Sequence, residues 1–66
     1  MQIYVNGEQQ EIASSISLAD LLVSLDMSGK RVAIELNQMI IPRGQHKETL
    51  LKEGDVIEVI HAIAGG

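Results

Sequence analysis

Apolar and polar positions alternate from the first residue: Met1, Ile3 and Val5 on one side, Gln2 and Tyr4 on the other. A period of two predicts a half-buried strand. Asn6-Gly7 follows, and that pair best suits a type I′ turn, which needs two residues at positive φ. A hairpin is therefore expected, with a more polar return strand over Glu8 to Ala13 and Ile12 as its clearest inward residue. The period then changes. Leu18, Leu21, Leu22 and Leu25 recur at spacings of three and four, which makes one apolar stripe along a helix and predicts core packing. Ser17 suits the N-cap, and Asp20 sits three residues on, where its carboxylate favours the positive end of the dipole. Gly29 is expected to terminate the segment after the helix.

The period of two returns at Val32, Ile34 and Leu36, with Ala33 and Glu35 opposite. Asn37-Gln38 is a turn candidate, and Met39, Ile40 and Ile41 form a second piece of strand. Pro42 has no N–H to give a ladder, so it ends that strand or sits on an edge. Arg43 to Glu48 reads as a polar loop with room for one helical turn, Thr49 to Leu51 as a short strand, and Lys52 to Asp55 as a tight turn. The run VIEVIHAIA from Val56 is the longest strand signal and is dense in β-branched residues. Both Ile57/Val59 and Val56/Ile60 are apolar. The strand is therefore central and buried on both faces, or it has one buried face and one sticky face. The order ββαβ(β)β predicts an α+β fold of the β-grasp, or ubiquitin-like, type. A mixed sheet of four to five strands packs on one helix, with the last strand central beside the first. Residues 1–62 are expected to form the domain and 63–66 a flexible tail ending in Gly65-Gly66.

Composition narrows the function. Sixty-six residues make one domain at most, and a chain of this size buries only about 60% of its unfolded surface. The core is aliphatic, since Tyr4 is the one aromatic residue. The absence of cysteine excludes disulfides and thiolate metal or redox sites. A net charge of −4 with five basic residues argues against nucleic acid, which calls for a basic stripe, and against an anionic membrane surface. No secretory leader and no apolar run near the ~20 residues of a membrane span is read. The expected location is the cytoplasm, with a larger, more basic protein as partner.

Side-chain chemistry is hard to find. Gly7, Gly29, Gly44 and Gly54 are isolated turn residues rather than a phosphate loop. No serine is set against a histidine in a known motif. His46 and His61 lack metal-ligand spacing, so no metal site is expected, and His61 reads as a surface or edge residue of the last strand. The chain also reads as too short to enclose a pocket of ~300 Å³ or more. What remains is HAIAGG. By chance, a Gly-Gly end has odds of roughly one in two hundred at ~7% glycine. Glycine has no Cβ, so it threads a narrow channel, and it accepts φ of either sign. Ile63 to Gly66 span up to ~13 Å when extended. A carboxylate is a poor electrophile and must be activated, for example by adenylation, before it transfers an acyl group. The chain has no machinery for ATP and Mg²⁺, so the activating enzyme is a separate protein. An incidental terminus on a plain binding module is the competing reading.

The opening MQIYVNGE, the SLADLL helix, the segment N-x-x-I-x-P-R from Asn37 to Arg43, the EGD before the final strand and the IAGG end occur in one order over the whole chain. Together they resemble the ThiS family, the ubiquitin-like sulfur carriers of thiamine biosynthesis. The resemblance implies a protein co-substrate rather than an enzyme. A ThiF-type adenylyltransferase consumes ATP and Mg²⁺ to adenylate Gly66. A persulfide donor converts the adenylate to a thiocarboxylate, and a ThiG-type thiazole synthase receives the sulfur. Gly65 is then the required neighbour, Ile63 and Ala64 line the path into the partner, and no cofactor is bound. The free form is expected to be a monomer. The family further suggests an apolar docking patch on the sheet face away from the helix, and alternation points to Tyr4, Met39 and Ile60. The small subunit of molybdopterin synthase and a ubiquitin-like modifier that joins lysines share the fold and the terminus, and stay open as alternatives.

Overall fold

The computed structural model describes residues 1–27 and 31–61. Gly29, the tail residues Ile63, Ala64, Gly65 and Gly66, and the domain boundary at 62 lie outside the described residues. Five strands form one sheet: β1 (Gln2–Val5), β2 (Glu8–Glu11), β3 (Val32–Leu36), β4 (Met39–Ile41) and β5 (Val56–His61). Their spatial order is β2-β1-β5-β3-β4. β5 pairs parallel to β1, and the other neighbours are antiparallel. Among the described residues, one helix, α1 (Leu18–Ser24), and a single 3₁₀ turn at Arg43–Gln45 complete the elements. This is the expected β-grasp arrangement, with the last strand central.

Local chemistry explains each joint. Asn6 and Gly7 sit at φ 52° and 83°, the left-handed pair that a tight hairpin of this twist requires. Asn37 and Gln38 repeat the device at φ 51° and 72° and fold β4 back on β3. At the start of α1 the Asp20 amide donates to Ser17 Oγ and the Ser17 amide donates to the Asp20 carboxylate, both at 3.1 Å. This reciprocal capping box satisfies two of the otherwise orphaned N–H groups. The helix stops at Ser24, and Asp26 turns the chain at φ 60°. Aspartate tolerates that region because its short side chain bonds locally.

The core lies between α1 and one face of the sheet. Ile3, Leu18, Leu21, Ile34 and Ile57 have no exposed surface, and Val5, Leu22, Leu51 and Val59 are buried around them. Leu25 is only partly buried against this cluster, because it caps the helix rather than continuing it. Residues 49–51 do not form the expected strand. The Leu18 amide donates to the Thr49 carbonyl and the Leu51 amide to the Ile16 carbonyl, both at 2.9 Å. The result is an isolated bridge, Ser17 to Leu50, outside the sheet. It ties the loop to the helix start and seats Leu51 in the core.

Candidate functional site

β5 is the strand that immediately precedes the tail in sequence, and several contacts hold it. At its start the Tyr4 amide donates to the Asp55 carbonyl at 2.9 Å and the Asn37 amide to the Val56 carbonyl at 2.7 Å. The Asn37 side chain spans the same corner: its Oδ1 accepts from the Val56 amide at 2.9 Å, and its Nδ2 donates to Asp55 Oδ1 at 3.1 Å. The other Asp55 oxygen accepts from the Lys52 amide at 2.7 Å, which closes the KEGD turn. Asp55 is buried, and both carboxylate oxygens are used, as a buried charge requires. Two stretches of sequence noted separately, the Asn37 segment and the EGD turn, thus form one clamp.

Farther along, β1 ends at Val5 while β5 continues. The Asn6 amide donates to the Ile57 carbonyl at 2.9 Å, and Asn6 Oδ1 accepts from the Val59 amide at 2.8 Å. One turn residue thereby extends the parallel ladder past the hairpin. Beyond Val59, β5 is paired only with β3, at Ala33–Ile60 and Val32–His61.

The ladder also assigns the faces. Ile57 and Val59 point into the core, whereas Val56 and Ile60 are 45% and 47% exposed. Of the two readings of β5, the structure selects one buried and one sticky face. Tyr4 is directly across from Val56 and is 39% exposed, so Tyr4 and Ile60 do share the face away from the helix. Met39 does not. It pairs with Leu36, and directly paired residues share a face, so Met39 lies on the helix side, 67% exposed at the sheet edge. Ile40, opposite Glu35 and 62% exposed, takes the outer position. The two-residue turn Asn37-Gln38 places Leu36 opposite Met39, and that rule was available in the sequence.

Other candidate chemistry recedes. His46 is buried, its Nε2–H directed to the Ile41 carbonyl at 3.0 Å, while its own carbonyl accepts from the Ala19 amide at 3.2 Å. It fastens the 3₁₀ segment to the helix start. Among the described residues no cluster of three metal-ligating side chains occurs, and no helix is long and apolar enough to cross a membrane. A groove of about 460 Å³ runs between β2 and α1, larger than the sequence led one to expect, but open. Of its polar lining, Asp20 caps the helix, and the Ser24 hydroxyl donates to the Leu21 carbonyl at 2.8 Å.

The ThiS family model matches residues 3–66. The chain belongs to the ThiS family. It superimposes on a crystal structure of the thiamine biosynthesis protein (ThiS) from Geobacter metallireducens with a TM-score of 0.87 at 30% identity, covering all of both chains. The sulfur carrier protein ThiS of Escherichia coli is 35% identical over 66 residues, again the whole of both chains. A thiazole synthase from Magnetococcus marinus is 38% identical over the same 66 residues, but there the chain spans only 20% of the relative's length. A ThiS-like stretch thus occurs within a much longer protein named for thiazole synthesis.

Proposed function

We propose that the protein is a sulfur carrier of thiamine biosynthesis whose reacting group is the carboxylate of Gly66. The observation that carries this reading is full-length similarity to named ThiS proteins in a fold whose last strand is central in the sheet. In the proposed cycle a ThiF-type adenylyltransferase lets a Gly66 oxygen attack the α-phosphorus of ATP, with Mg²⁺, and releases pyrophosphate. The terminal sulfur of a cysteine persulfide then attacks the acyl carbon and expels AMP, giving an acyl disulfide. A second thiol cleaves the S–S bond, supplies the two electrons and leaves the thiocarboxylate. Thiazole synthase takes that sulfur, a role supported by the ThiS-like stretch in the longer thiazole synthase. Ile63, Ala64 and Gly65 thread the partner's channel, where the small residues meet little steric resistance. Tyr4, Ile60 and their apolar neighbours on the outer face grip the partner while the tail reacts.

The test is an intact mass after incubation with the adenylyltransferase, ATP and a persulfide donor. Exchange of one oxygen for sulfur at the C-terminus is expected, and thiazole formation on adding the synthase. Higher-mass conjugates in place of that exchange would identify a modifier and overturn the reading.

A further inference from the structure

The two tight turns of the sheet are built alike, and each lends a side chain to β5. Asn6 and Asn37 are the first residues of their turns, at φ 52° and 51°. Each gives its amide to a β5 carbonyl, Asn6 to Ile57 at 2.9 Å and Asn37 to Val56 at 2.7 Å. Each also accepts a β5 amide on Oδ1, Asn6 from Val59 at 2.8 Å and Asn37 from Val56 at 2.9 Å. A ladder that continued would send those amides to the turn residues' own carbonyls. The left-handed turn redirects the chain at that point, and the side-chain oxygen stands in for the carbonyl. β5 thereby gains one rung toward β3 at its start and one toward β1 near its finish.

The two rungs are not equivalent. The Asn37 rung adjoins the Asp55 clamp. The Asn6 rung is, among the described residues, the last hydrogen bond of β5 on its β1 side, since Ile60 and His61 pair only with β3. Gly66 follows Val59 by seven positions. We propose that Asn6 is a positioning residue for the reaction at Gly66: its Oδ1 pins the Val59 amide and fixes the point past which β5 is held on one side only. The inference rests on the carrier reading above. Without the acceptor, about one more residue is free to move, and ordering it in the partner's channel adds to the barrier. Seven extended residues reach up to ~23 Å. A small change of direction at Val59 thus becomes ångströms at the acyl carbon, where a misplacement of about 1 Å costs on the order of 100-fold in rate. Docking of the domain sets the half-saturating concentration, and alignment of the docked tail sets the maximal rate.

The test follows single-turnover pyrophosphate release from ATP by excess adenylyltransferase, with the full chain as substrate, alongside hydrogen exchange of the Val59 amide. Wild type is compared with Asn6→Gly, which keeps the turn and loses the acceptor, and with Asn6→Asp, which keeps both. Asn37→Gly is the control, because it loses the matching rung at the far end together with the bond to Asp55. Asn6→Gly is expected to lower the maximal rate about tenfold at an unchanged half-saturating concentration. Asn6→Asp is expected to restore both the rate and the protection of the Val59 amide. Asn37→Gly is expected to react at the wild-type rate in spite of its greater loss of Tm. A role in stability alone predicts the opposite order, and a slower Asn37→Gly overturns the proposal. So does a wild-type maximal rate for Asn6→Gly, whether or not half-saturation shifts. A slow Asn6→Asp whose Val59 amide stays protected overturns it as well, because the bond is then present and the rate still lost; a slow Asn6→Asp whose amide exchanges freely supports it. Absence of pyrophosphate release from wild type overturns the carrier reading, and the proposal with it.

Discussion

The Asn37 side-chain amide donates to the Asp55 carboxylate at 3.1 Å across 18 positions of chain. That bond joins the β3–β4 turn to the turn that launches β5, so two loops hold the start of the central strand. Asp55 uses its second oxygen on the Lys52 amide. Replacing Asp55 with alanine leaves two donors without their acceptor in a half-buried corner. A loss of about 1.5–3 kcal/mol is expected for bonds to a charged group, in a domain where each kcal/mol moves Tm by roughly 4–8 °C. Thermal unfolding of Asp55→Ala beside Asn37→Gly, which keeps the positive φ and removes both side-chain bonds, measures the clamp. A shift below 2 °C in both, small against that scale, would show that the corner is held by backbone alone.

Asn6 offers a cleaner separation of backbone from side chain. It supplies both the left-handed turn conformation, at φ 52°, and the acceptor for the Val59 amide. Asn6→Gly retains the first and loses the second. The expected result is a modest loss near 1 kcal/mol and faster hydrogen exchange confined to the Val59 amide. Asn6→Ala loses both and is expected to cost more than Asn6→Gly. Equal stabilities for the two variants would mean that the turn exerts no conformational demand.

The small aliphatic core leaves little reserve. Ile57 has no exposed surface and sits on the central strand, with Val5 and Leu36 as its ladder partners. Truncation to alanine is expected to cost about 2–5 kcal/mol, a large share of what a chain this size can hold. Ile57→Ala should therefore be substantially unfolded at 37 °C by circular dichroism, whereas Val23→Ala, on the 64%-exposed side of the helix, should unfold as wild type does.

Local signals in the sequence were sufficient wherever the chain decides its own conformation. Asn6-Gly7 demanded a hairpin, Ser17 and Asp20 a capped helix start, and the leucine spacing one buried stripe; all three stand in the structure. The positions that escaped are set by contacts outside their own segment, except Met39, whose turn rule is local. His46 is polar and lies in a polar stretch, yet the fold-back after Pro42 buries it against the Ile41 carbonyl. Thr49 to Leu51 looked like a strand, and its hydrogen bonds go instead to the loop before the helix. Alternation alone puts Met39 on the outer face, and a shift of one residue in register moves a side chain to the opposite side. The outer face became legible only when β5 could be placed beside both β1 and β3, since its alternation admits two burial patterns.

The last prediction separates tail from domain. Among the described residues, Val32–His61 is the last rung that β5 makes with β3. Among the described residues, the buried core cluster comes entirely from residues before it. Deleting Gly66, or adding one residue after it, should therefore leave Tm unchanged while abolishing both the oxygen-to-sulfur exchange and thiamine-dependent growth rescue. Ile60→Glu should also leave the fold intact, because Ile60 is 47% exposed on the outer face. It should slow the exchange by weakening the grip, and more enzyme should restore the rate. For the Gly66 deletion no amount of enzyme should do so, since the reacting atom itself is displaced. Normal growth rescue by the deletion variant would remove the carrier reading, and an Ile60→Glu defect that excess enzyme cannot relieve would move Ile60 from docking to the chemistry.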